Sequence, residues 1–106
     1  MVNYSNGKIY KIESMFKQDL IYIDCTTKKY LSQRIDSHRS DYKRWLEKKS
    51  IYVYKPLYEI FEICGVINTQ ITLIETVPCD TKDELLKRKN FLYSNNEMFK
   101  QKSMIM

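Results

Sequence analysis

β-Branched and aromatic residues gather in two short runs near the start of the chain, Gly7-Lys8-Ile9-Tyr10-Lys11-Ile12 and Leu20-Ile21-Tyr22-Ile23-Asp24. A polar connection of hairpin length separates them, so they are predicted to be two paired strands. Counted alternately, Lys8, Tyr10 and Ile12 share one face of the first strand, and Leu20, Tyr22 and Asp24 share one face of the second. Antiparallel pairing then sets Tyr10 and Tyr22 side by side on one surface.

The pattern changes after Thr26-Thr27-Lys28-Lys29, a turn whose hydroxyls can cap a helix. From about Tyr30 to Lys48 the period is helical, with Leu31, Ile35, Tyr42 and Leu46 on one stripe that Trp45 widens. Arg34, His38 and Asp41 lie on the next row. A helix docked on the hairpin would hold Arg34 and His38 at the rim of the sheet face; the plainer alternatives are an Arg34–Asp41 surface pair and a half-buried core histidine. Ser50 to Pro56 reads as a loop or a short extended piece. Leu57, Ile60, Phe61 and Cys64 space as a short helix ending at Gly65. Gln70 to Val77 reads as a strand closed by Pro78. Thr81-Lys82-Asp83-Glu84 has the form of a capping box opening a last helix to roughly Asn95, with Leu85, Leu86, Leu92 and Tyr93 as its apolar face. The expected class is α+β: a small, three-stranded, mostly antiparallel sheet flanked by three helices. One domain over residues 7–95 would lie between an extension, 1–6, and a tail, 96–106, that carries no element of its own.

Charge adds a partner class. The chain of 106 residues has a formal charge of +5, which suits an anionic partner. Lys28, Lys29, Arg34, Arg39, Lys43, Arg44, Lys48 and Lys49 cluster in the middle, partly neutralised by Asp36, Asp41 and Glu47. Three cysteines and one histidine, without paired spacing, write no zinc site and no disulfide framework. They are read as reduced residues of an intracellular protein, cytoplasmic or nuclear. No run reaches the roughly 18 apolar residues of a membrane span, and no signal pattern opens the chain.

The order of elements and the residues Lys8-Ile9-Tyr10, Tyr22-Ile23-Asp24-Cys25-Thr26, Leu31-x-x-Arg34-x-x-x-His38, and the late strand and helix resemble the GIY-YIG endonuclease domain. The likeness is greatest to its short stand-alone forms in large DNA viruses and phages. It implies a phosphodiesterase acting on duplex or branched DNA. Tyr10 would then orient the attacking water, Tyr22 would share its pocket, Arg34 would stabilise charge on phosphorus, and His38 would support the tyrosine or the water. The family also uses one divalent ion, Mg2+ or Mn2+, held by a glutamate that follows an arginine in the last helix. Here that run is Arg88-Lys89-Asn90, so the ligand position is Lys89. Asp24 stands where the family has glycine. Two readings follow. In the first, an endonuclease of weakened or lost activity, Asp24 supplies the metal ligand. In the second, an inactive nucleic-acid-binding module without metal, Lys89 and Arg34 hold a phosphate. Lys8, Lys28, Lys29, Arg39, Lys43 and Lys89 are the expected nucleic-acid contacts under either reading, and the oligomeric state is left open.

Overall fold

β1 (Lys8–Ser14) and β2 (Leu20–Thr26) pair antiparallel, as their β-branched runs predict, and β3 (Thr69–Thr76) pairs antiparallel with the other side of β1. This is a computed structural model that describes residues 2–16, 20–48, 57–95 and 103–105. The loop read from Ser50 to Pro56 lies outside them, as does most of the tail. Within the tail a short β4 (Ser103–Ile105) runs parallel to β2, and the sheet order is β3-β1-β2-β4. Three residues are too few to show a period, which is why the sequence did not predict this strand.

β2 is apolar on both faces and β1 is so at Ile9 and Tyr10, and each face has its own cover. Tyr10, Ile12, Leu20 and Tyr22 pack against α1 (Leu31–Glu47) and α2 (Leu57–Cys64). Ile9, Ile21 and Ile23 face the other way and pack against α3 (Lys82–Asn95) through Leu85. A strand covered on both sides carries apolar residues at successive positions. Burying each large aliphatic side chain contributes about 1.5–3 kcal/mol. The result is an α+β domain with one sheet between two helical layers. No helix among the described residues is long and apolar enough to cross a membrane.

The helices begin and end for local reasons. The Tyr30 N–H donates to the Gln33 side-chain oxygen at 3.1 Å and so opens α1, whereas the Thr26 hydroxyl accepts from the Lys28 N–H and shapes the preceding turn instead of capping the helix. α2 stops at Gly65, whose φ of 87° is a left-handed conformation that favours glycine. At α3 half of the expected capping box is present. The Glu84 N–H donates to the Thr81 hydroxyl at 3.3 Å, but the Glu84 carboxylate accepts from the Asp80 N–H, one residue earlier than the pattern requires.

The buried stripe of α1 is Ile35, His38, Tyr42 and Trp45, while Leu46 is 47 % exposed. At about 100° per residue Leu46 lies roughly 60° from the centre of that stripe. The wide ring of Trp45 fills the space beside Tyr58 and Tyr42 in its place.

Gly7 holds the start of β1 against the end of β3, since the Val77 N–H donates to the Gly7 carbonyl at 2.7 Å. A Cβ on Gly7 would lie 2.2 Å from the Val77 carbonyl oxygen. Gly7→Ala is therefore expected to destabilise the fold by about 2–3 kcal/mol through backbone displacement. An unchanged urea midpoint would contradict this close approach.

Candidate functional site

Register decides which side chains meet. In the β1–β2 ladder Tyr10 lies opposite Asp24, and Ile12 lies opposite Tyr22. The two tyrosines thus share a face, as expected, but sit diagonally, with Asp24 beside Tyr10. α1 crosses this face and presents Arg34 and His38 one turn apart.

Tyr10 is fully buried. Its hydroxyl oxygen lies 2.7 Å from His38 Nε2 and accepts the Arg34 Nε–H at 3.1 Å. With the Arg34 Nε–H donating to the Tyr10 oxygen, the Tyr10 O–H is left to donate to His38 Nε2, which calls for the tautomer with that nitrogen unprotonated. Burial pushes the Tyr10 phenol well above its ordinary pKa; the charge of Asp24 adds to this, and Arg34 only partly offsets it. Tyr10 therefore keeps its proton at neutral pH. His38 is 1 % exposed and also meets the Tyr22 ring edge-on, at 5.7 Å between centroids. Burial works against the Arg34 charge as well, but Tyr10 and Asp24 outweigh it and its pKa lies above the usual arginine value. Arg34 pairs toward the site and not with Asp41, which is engaged by Arg44.

Asp24 is where the groups converge. Its carboxylate accepts the Tyr22 hydroxyl at 2.8 Å and the Cys25 backbone N–H at 2.8 Å. The Lys89 ammonium lies 3.6 Å away and the Arg34 guanidinium 4.0 Å away. Burial first, and then Asp24 as charge and acceptor, raises the Tyr22 phenol far above its usual range. Burial and the same carboxylate also push the Cys25 thiol up. β4 pairs with β2 only from Leu20 to Tyr22, so at Asp24 the outer edge of β2 has no described neighbour and leaves room for Lys89 to reach across from α3. The preceding residue, Arg88, turns to β3, where it donates two hydrogen bonds to the Glu75 carboxylate at 2.5 and 2.7 Å and lies over the Phe91 ring. Adjacent residues of α3 thus pair with opposite sides of the sheet. The Glu75–Arg88 clamp has no sequence signature: its two residues lie on different elements, with only ordinary spacing to link them.

The other basic candidates fall in two groups. Lys8 donates to the backbone carbonyls of Asn6 and Lys28 and so braces the end of the sheet near the site, while Lys28 and Lys29 are exposed there. Arg39, which pairs with Asp36, and Lys43 lie roughly 140° and 180° around α1 from Arg34. The structure does not bring these two to Asp24.

The residues present do not fit Mg2+ or Mn2+. Hard divalent ions need several oxygen ligands. Asp24 supplies the only carboxylate among these groups, and Lys89 and Arg34 place two cations against it. Among the described residues no three His, Cys, Asp or Glu side chains converge. Glu84, at the start of α3, is occupied with the Asp80 N–H.

Removing the Tyr10 hydroxyl tests the buried half of this network. Tyr10→Phe takes away a partner of both Arg34 and His38 and is expected to lower stability by about 1–3 kcal/mol in urea denaturation. A neutral effect would mean that the hydroxyl does not organise the site.

Comparison with protein families, with curated proteins and with solved structures finds no match.

Proposed function

We propose that this chain is a GIY-YIG-like nucleic-acid-binding domain in which Arg34 and Lys89 hold a phosphodiester of DNA without a metal, with strand cleavage weakened or lost. The observation that carries this reading is the layering of the site. Arg34, Asp24 and Lys89 reach solvent in part, with side chains 27 %, 24 % and 14 % exposed, whereas Tyr10 and His38 are closed off beneath them. A ligand meets two cations and one carboxylate first, a net single positive charge matched to one phosphodiester. Arg34 offers a planar fork to phosphate oxygens, and Lys89 offers a point charge.

Hydrolysis asks for more. An attacking water would need contact with a tyrosine whose hydroxyl is engaged by His38 and Arg34 and whose ring is fully buried. It would also need a divalent ion at a position that a lysine occupies, and the ammonium repels one. What supports an ancestral nuclease is the meeting of Tyr10, Tyr22, Arg34 and His38 around one point. Exposed Lys28 and Lys29, near one end of the sheet, extend the positive surface along which a backbone can lie. The three free cysteines suit a reducing, intracellular setting.

The test is a supercoiled-plasmid assay with Mg2+ or Mn2+ beside a gel-shift series in salt. The intact protein is expected to shift DNA without nicking it. Arg34→Ala and Lys89→Ala should each weaken binding evenly across sequences and lower the slope of log affinity against log salt by about one. Metal-dependent nicking that Arg34→Ala abolishes would overturn the binding reading in favour of a working endonuclease. Absence of any shift would overturn both.

A further inference from the structure

The sheet ends at β3, and the first part of that edge, Thr69 to Leu73, carries no charge and no bulge. Native edge strands are blunted by lysine, proline or shortness. β3 runs for eight residues, Thr-Gln-Ile-Thr-Leu-Ile-Glu-Thr, with no lysine, arginine or proline, and no described segment pairs with its outer side. Its ladder to β1 is regular from Thr69 to Leu73 and shifts only beyond that point. Leu73 is 45 % exposed on the face that carries Tyr10.

We propose that β3 pairs antiparallel with β3 of a second copy, about a twofold axis through Thr72. Such an axis, normal to the sheet, keeps every side chain on its own face, so one position must pair with itself. With Thr72 at that position, Ile71 of each copy lies opposite Leu73 of the other. Four aliphatic side chains then close over the seam on the α1 side, and the two threonines face each other on the opposite side. Both are favourable cross-strand pairs. The same axis carries Ile67, 90 % exposed just before β3, toward the second copy's Val77 and Pro78 just after it. The strand is thus complementary to itself in one register, which selects a second copy over an unrelated peptide. The argument uses the fold alone and is independent of what the Arg34–Lys89 site binds.

Light scattering on the full chain over a concentration series is expected to approach twice the chain mass of 12.8 kDa. Thr72→Glu should return it to the monomer, with its circular dichroism unchanged. The new carboxylate faces Lys11 within its own sheet but its own counterpart across the seam. Under oxidation Thr72→Cys should form a linked dimer, and Gln70→Cys should not, because its copies would lie beyond disulfide reach. A monomer at every concentration would overturn the proposal. So would a folded Thr72→Glu variant that stays dimeric, or equal cross-linking at positions 70 and 72.

Discussion

Two cations share one carboxylate at the water-facing layer of the site, and much of the structure serves to bring them there. Asp24 reaches Lys89 and Arg34 only because β2 presents it beside Tyr10, α1 crosses the same face, and α3 sends a lysine past the open edge of the sheet. The group is partly desolvated, so its members depend on one another. Taking away one partner of such a pair leaves a charge that water only partly serves, and this costs more than the pair contributes over an apolar replacement. The Tyr22 hydroxyl and the Cys25 N–H hold the carboxylate in place and so limit how far the cations can drift.

The position of α3 follows from the same logic. Leu85 anchors the helix to Ile9, Ile21 and Ile23, and Arg88 and Lys89 then pair with carboxylates on β3 and β2. With partners on both sides of β1, the helix is fixed across the sheet, and Lys89 is set without any special backbone feature. On the opposite face the Tyr10–His38 contact ties the middle of the sheet to α1, which keeps Arg34 aimed at the rim. The partly exposed layer of Arg34, Asp24 and Lys89 thus rests on a buried polar layer of Tyr10 and His38.

Much of this was legible in the sequence, and the failures have definite causes. The face shared by Tyr22 and Asp24 follows from strand period, Tyr10 joins it once the two strands pair antiparallel, and the placement of Lys89 among the apolar residues of α3 follows from helix period. Which anion Lys89 would meet did not follow, because pairing with Asp24 depends on how far β4 covers β2. The substitution of Trp45 for Leu46 in the core turned on ring size and on a rotation of about 60° from the centre of the stripe, a difference that a stripe of four residues does not resolve. Arg34 offered two partners in sequence, Asp41 along its helix and the sheet face, and only tertiary packing chose the latter.

On the proposed metal-free reading, the Lys89 and Arg34 cations beside the Asp24 carboxylate keep a divalent ion from binding there. Manganese titration followed by amide NMR tests it most directly, because a bound paramagnetic ion broadens nearby resonances whatever the protein's activity. The account predicts no selective loss of the Asp24, Cys25 and Tyr10 signals in the intact protein. Broadening confined to those residues at low manganese would show that the carboxylate takes a divalent ion despite its two cations, and would contradict it.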